Sequence, residues 1–365
     1  MNEPMPGQAI GDLETPVLLL DLDRFESNVQ HMAAYCRANG KEWRPHSKAH
    51  KSPAIAHIEL ANGACGITCA KLSEAEWMVA HGVPSILLAN QIVSPVKFAA
   101  LARLQHQAEV IAAVDNIAVV EPMAAAATAE GVRIPVVVEI DIGMKRVGVE
   151  PGSPLLALSK AISDQPGLAF RGLMGYEGHV LDCWPLPAKE KACYEALDIL
   201  VESRNLLEDN GLQVEIVSAG GTGSYELSAL HDGVTELQAG GGVFMDVMYR
   251  RKCHVEALTP ALTVLTSVTS RAADRVVVDA GFKTLSSGHQ PPEVLGRSDL
   301  RLRGLSAEHG IFDIVEGQAG PALGERIELL VGYSDSTTFL HNYFVAVRKG
   351  RVEKIWDISA RGLLR

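Results

Sequence analysis

The chain has 365 residues, 47% hydrophobic, 21% charged and 5% aromatic, an ordinary globular composition that excludes the disordered, collagenous and disulfide-scaffold classes. With a formal net charge of −11, a polyanionic partner meets repulsion, so neither nucleic acid nor an anionic membrane surface is expected as a partner. Residues 1–12 lack the basic and apolar regions of a signal peptide, no apolar run reaches the roughly 18 residues of a membrane span, and the six cysteines have no paired short spacing; the expectation is a cytoplasmic chain with reduced thiols.

In chain order, VLLLDLD at 17–23 predicts a strand and 24–39 a helix. From residue 43, Gly-bounded runs rich in Val, Ile and Leu alternate with Ala/Glu/Leu segments of helical period, the pattern of βα units around a parallel sheet. The predicted strands are 43–48, 65–70, 85–90, 109–115, 134–141, 168–178, 213–221 and 233–242, with helices between them, among them 52–62, 95–105, 153–164, 187–210 and a short one near 224–230. Eight strands in about two hundred residues predict a (β/α)₈ TIM-type barrel. Beyond about 255 the texture turns to strands and turns (ALTVLTSVTS, DRVVVDAG, ERIELLVGY, YFVAVRKGRVEKIWDI), which predicts a second, mostly β domain with 17–23 as a partner strand. The expected division is 1–23 as an N-terminal segment pairing with the β domain, 24–252 as the barrel and 253–365 as the C-terminal β domain.

Reactive groups in such barrels sit at the C-terminal ends of the strands, and unusual residues cluster there. The first strand ends in Arg44-Pro-His46-Ser-Lys48, where period-2 alternation puts Arg44, His46 and Lys48 on one face and Lys48 in the barrel mouth. A lysine there either pairs with a carboxylate or binds a carbonyl covalently. The fifth ends in a charged, glycine-rich stretch in which Arg146 is an aimed donor or part of a solvated loop. The sixth ends in Tyr176-Glu177-Gly178-His179, a weak signal alone. The seventh ends in Ser218-Ala-Gly220-Gly221-Thr222-Gly223-Ser224 and the eighth in Gly240-Gly241-Gly242, the two positions where barrels often build a phosphate site. A phosphate cradle opposite a strand-end lysine, with an arginine between, is the layout that pyridoxal phosphate needs. Schiff-base aldolases of sugar phosphates share the lysine and cradle but leave the β domain unexplained.

At this point the motifs ETPVLLLDLD, RPHSKAHKS, GITCAKLSEAE, EIDIGMKRVGV, GLMGYEGH, SAGGTGSY, VVVDAGFK, GLSAEHG and IWDISARG identify a resemblance. Together they resemble the fold-type III pyridoxal phosphate enzymes with an alanine-racemase-like barrel, within them the D-threonine aldolase, 3-hydroxy-D-aspartate aldolase and D-serine dehydratase group, from about Thr15 to Gly362. The resemblance implies that Lys48 bonds the cofactor aldehyde, that Arg146 sits near its phenolic oxygen and Tyr176 near its ring, and that Ser218, Gly221, Thr222 and Gly223 hold the phosphate with Gly240 and Gly241. It implies that Glu308 and His309 close the site from the β domain and that the chain works as a homodimer.

These relatives hold a divalent metal, Mg²⁺ or Mn²⁺, through His-x-Asp or His-x-Cys near the tail. Here Gly332-Tyr333-Ser334-Asp335-Ser336-Thr337 puts Tyr333 at the histidine position and keeps Asp335 as the metal-ligand candidate. The expected activity is retro-aldol cleavage of a D-β-hydroxy-α-amino acid to glycine and an aldehyde, with Tyr333, His309 or His179 handling the hydroxyl proton. The alternatives are a metal-independent amino-acid racemase and a D-β-hydroxy amino acid dehydratase. A non-catalytic cofactor carrier does not account for the tail from 255 to 365.

Overall fold

A computed structural model describes residues 3–286 and 288–365. Strand β1 (Val17–Asp21) leads into helix α1 (Leu22–Ala38). The chain then alternates through β2 (Glu42–Trp43), α2 (Pro53–Ala61), β3 (Ile67–Cys69), α3 (Leu72–Ala80), β4 (Ser85–Leu88), α4 (Pro95–Leu104), β5 (Glu109–Val114) and α5 (Val120–Ala129). It continues through β6 (Ile134–Glu139), α6 (Ser153–Ser163), β7 (Leu168–Met174), α7 (Leu186–Asp209), β8 (Ile216–Ala219), α8 (Tyr225–Leu230) and β9 (Glu236–Leu237). The chain divides into two compact units: a β unit with the chain up to His31, Ala49–Ile55 and Gly241–Gly362, and a barrel unit with Met32–Lys48, Ala56–Gly240 and Leu363–Arg365.

In the barrel unit the strands run in the order β2-β9-β8-β7-β6-β5-β4-β3, every ladder parallel. The two ends meet at a parallel bridge between His46 and Thr68, with Thr68 N donating to Pro45 O at 2.9 Å, so the sheet closes into the expected barrel. Leu87, Ile111, Ala113, Val137 and Met174 form one buried cluster, as alternation along strands demands. The helices turn apolar stripes inward: Leu72, Ala75, Met78 and Val79 on α3, and Cys193, Ala196, Leu197, Leu200 and Leu207 on α7.

The first barrel strand differs from its prediction. Its regular ladder with β9 ends at Trp43, although Arg44 N and His46 N still donate to Leu237 O and Gln238 O, and Ser47–Ala49 winds into a 3₁₀ turn. Strict alternation therefore stops before Lys48, which leaves the backbone from the turn.

The β unit contains β10 (Leu262–Arg271), β11 (Arg275–Val278), β12 (Glu293–Val294), β13 (Leu300–Leu305), β14 (Gly310–Ile314), β15 (Arg326–Leu330), β16 (Tyr343–Arg348) and β17 (Arg351–Asp357), with short helices α9 (Phe282–Leu285) and α10 (Ser334–Thr338). Their order is β13-β14-β11-β10-β1-β16-β17, with β15 on β10 and β12. β1 lies antiparallel to β10 and parallel to β16, and its Val17 and Leu19 pack with Leu13, Leu265, Val345 and Val352. The hairpin β13–β14 lies outside the strands predicted from sequence, because Arg301, Arg303 and Asp313 interrupt its apolar pattern. No helix among the described residues is long and apolar enough to cross a membrane.

Candidate active site

The turn that carries Lys48 is fixed from both sides. Ser47 Oγ lies 2.8 Å from Glu74 Oε1 and 3.0 Å from Thr68 O, while Glu74 Oε2 accepts from Ala70 N at 2.9 Å. Ser47 and Glu74 are fully buried and Lys48 half-buried. Just before the turn, Arg44 makes a buried ion pair with Glu236 at 2.7 Å. The loop after β9 presses on the same segment: His46 N donates to Gln238 O at 3.1 Å, and a Cβ at Gly240 would stand 2.3 Å from His46 O. Glycine is required at 240 because the obstacle is backbone.

After β8, Gly220 turns the chain at φ +76°, Thr222 is buried, and a Cβ at Gly221 would lie 2.8 Å from the Tyr176 ring. Tyr176 is thus the wall of this loop. Ser218 departs from the role expected of a phosphate donor, since its single O–H proton goes to Glu236 Oε1 at 2.8 Å while Gln238 Nε2 donates to it at 3.0 Å. It braces the loop rather than facing outward from it.

Arg146 has its guanidinium carbon 5.6 Å from the Tyr176 ring centroid and Nη2 3.8 Å from Glu139 Oε1. Burial pushes the Glu139 carboxyl above its usual range, against the opposing effects of a 2.5 Å bond from Gln91 and the Arg146 charge. Asp141 Oδ1 accepts from Gly143 N and Lys145 N, and Asp115 Oδ2 from Gly148 N, which pins the Arg146 loop. The His179 ring lies against Gly143 of that loop. Arg146, Tyr176, Gly221 and His179 are therefore neighbours in the barrel unit, and Lys48 is tied to Gly240 through His46.

The other candidates lie in the β unit. Gly241 abuts the Tyr249 ring, which stands 6.0 Å from the Tyr333 ring, and His289 meets Tyr333 edge-on at 4.5 Å. The Tyr333 hydroxyl donates to Asp335 Oδ2 at 2.8 Å. Asp246 accepts from Ser334 N, Ser334 Oγ and Tyr249 N, yet burial pushes its carboxyl up to about 7. His309 is exposed in the β13–β14 turn, beside a 2.8 Å ion pair between Lys283 and Glu308.

Sequence reasoning missed the supporting residues Glu74, Gln91, Asp246 and Lys189. Lys189 had a legible signal, since it lies four residues before Cys193 on the apolar stripe of α7 and is buried.

The model of the alanine racemase N-terminal domain family matches residues 20–247, and that of a serine dehydratase domain matches 261–347. The chain belongs to the alanine racemase N-terminal domain family. This alanine racemase-like chain is 38% identical to D-threonine aldolase from an Arthrobacter species, over 99% of the chain and 96% of that protein. It is 35% identical to 3-hydroxy-D-aspartate aldolase from Paracoccus denitrificans, over 98% and 95%. The solved D-threonine aldolase from Filomicrobium marinum superposes with a TM-score of 0.96 at 37% identity, over 99% of each chain.

The cofactor that the alanine racemase-like family implies is pyridoxal phosphate. The barrel residues fit it: a lysine on a braced turn, and glycines at 221 and 240 where a side chain would strike Tyr176 or His46. The tail motif does not fit the metal. A neutral phenol is a poor ligand for Mg²⁺ or Mn²⁺, and the Asp335 carboxylate is already bonded by that phenol. Among the described residues no three His, Cys, Asp or Glu side chains are grouped to hold a metal ion.

Proposed function

We propose that the chain cleaves the Cα–Cβ bond of a D-configured β-hydroxy-α-amino acid, of the D-threonine or 3-hydroxy-D-aspartate type, to glycine and an aldehyde. The observation that carries this reading is the braced Lys48 turn against Gly240 in a chain 35–38% identical, over nearly its whole length, to two aldolases of these names. Bound pyridoxal phosphate supplies an electron sink for the charge left at Cα. Lys48 holds its aldehyde carbon, Arg146 its phenolic oxygen and Tyr176 its ring. Gly221, Thr222 and Gly223, with Gly240 and Gly241, hold the phosphate, and Ser218 braces them.

Tyr333 takes the β-hydroxyl proton while its own passes to Asp335, along the hydrogen bond between them. His179, beside the Arg146 loop, orients the substrate. His309 closes the site in a homodimer, which accords with its exposed place on a hairpin turn. The enzyme is assigned to the cytoplasm, where its six cysteines stay reduced thiols. Amino-acid racemisation is the second reading, favoured by the phenol at the histidine position of the metal motif.

Borohydride reduction followed by peptide mapping tests the anchor. A pyridoxyl group on the peptide containing Lys48, absent from Lys48→Ala, supports the reading, and a label elsewhere sinks it.

A further inference from the structure

Glu177, part of the weak sequence signal after β7, is fully buried. Its Oε1 accepts from Ser224 Oγ and Ser228 Oγ, both at 2.6 Å, and its Oε2 accepts from Gly220 N at 3.3 Å. Two O–H bonds of that length to one oxygen are charge-assisted. The buried Lys189 Nζ donates to Gly223 O of the same loop at 2.5 Å.

A negative charge beside an anion-binding loop repels the anion, so its presence needs a compensating use. Here it fixes peptide planes. The Gly220 N–H is turned inward to Glu177 and the Gly223 carbonyl inward to Lys189. The Gly221 carbonyl accepts from Ser224 N at 3.0 Å, and Ser224 is itself held by Glu177. In a planar trans peptide the Thr222 N–H lies anti to that carbonyl and so faces away from Ser224. The Lys189 ammonium offsets the Glu177 charge within the same loop.

We infer that Glu177 and Lys189 form a buried clamp of opposite charges that holds the loop 220–224 in its anion-binding shape, with Glu177 as a positioning residue that never meets the ligand. The inference rests on the proposed cofactor, and names what sets the affinity for its phosphate group.

The full chain, stripped of cofactor, is titrated with pyridoxal phosphate and with pyridoxal, which lacks the phosphate, and compared with Glu177→Gln. Glutamine keeps an acceptor for the two serines but points its amide N–H₂ at the Gly220 N–H. The expected result is about 10- to 100-fold weaker pyridoxal phosphate binding, the loss of one hydrogen bond to a charged group, with pyridoxal affinity unchanged. Should Glu177→Gln fail to fold, Ser228→Ala removes one donor to the same oxygen, and a loss of about 3- to 10-fold confined to pyridoxal phosphate is expected. Equal weakening of both ligands, or no change in either, overturns the clamp while leaving the cofactor reading intact. A parent chain that binds neither ligand overturns the cofactor reading, and the clamp with it.

Discussion

The Tyr333 hydroxyl donates to Asp335 Oδ2 at 2.8 Å, so the carboxylate that stands two residues after the tyrosine is already engaged by it. If the phenol transfers the β-hydroxyl proton, Tyr333→Phe should lower kcat by about 10²- to 10⁴-fold, the usual worth of a general base, and leave KM and cofactor binding nearly unchanged. Steady-state kinetics with a D-β-hydroxy amino acid checks this. An equal loss in cofactor affinity would point to a packing role instead.

The same pair makes a prediction about metal. Imidazole and carboxylate two residues apart form a better donor set for Mn²⁺ than phenol and carboxylate. Tyr333→His should therefore retain Mn²⁺ through gel filtration, read by metal analysis, while the parent chain emerges without it. Stoichiometric Mn²⁺ on the parent, lost in Asp335→Asn, would contradict the reading of the tail motif.

The Arg44–Glu236 pair is buried on both sides, and Glu236 also accepts from Ser218 and the Cys65 thiol. Removing one partner of a buried pair leaves the other charge stranded, so Glu236→Ala should cost about 3–5 kcal/mol in denaturant unfolding. The double variant Arg44→Met with Glu236→Leu should recover much of that loss. Glu236 also holds Ser218, next to the loop 220–224 proposed to hold the cofactor phosphate, so cofactor release should accelerate in the single variant.

Asp246 carries a pH signature. An aspartate in an unfolded chain titrates near 4, whereas burial moves Asp246 to about 7. Between those values the folded protein holds a proton that the unfolded chain lacks, so this group's contribution to stability is full below about pH 4 and falls as pH rises to about 7. Melting temperatures at about pH 5 and about pH 8 should therefore differ more for the parent than for Asp246→Asn, whose side chain does not titrate. An equal drop in both chains would place the titration elsewhere.

The barrel is legible in the sequence because each βα unit writes its own period: Ile134–Glu139 reads as a buried strand and Leu186–Asp209 as an amphipathic helix without reference to the rest. The glycine loops are legible for a related reason, since Gly221 and Gly240 exist to make room for Tyr176 and the His46 backbone. What sequence periodicity hides is partnership. Nothing in the period of the first strand says that the chain leaves it for the 3₁₀ turn Ser47–Ala49, which carries Lys48. The Ser218 hydroxyl looks like a phosphate donor until Glu236, eighteen residues on, is seen to take its proton. The hairpin β13–β14 is obscured by charges such as Arg303, which pairs with both Asp274 and Asp313, contacts made by the fold rather than by spacing.

The most direct measurement is product identification with D-threonine and 3-hydroxy-D-aspartate, and with their L-forms, followed by NMR in deuterated buffer. Glycine and aldehyde in equal amounts are expected from a D-substrate, and none from the L-form. A 2-oxo acid with ammonia, or α-deuterium exchange with loss of optical activity and no cleavage, would contradict it.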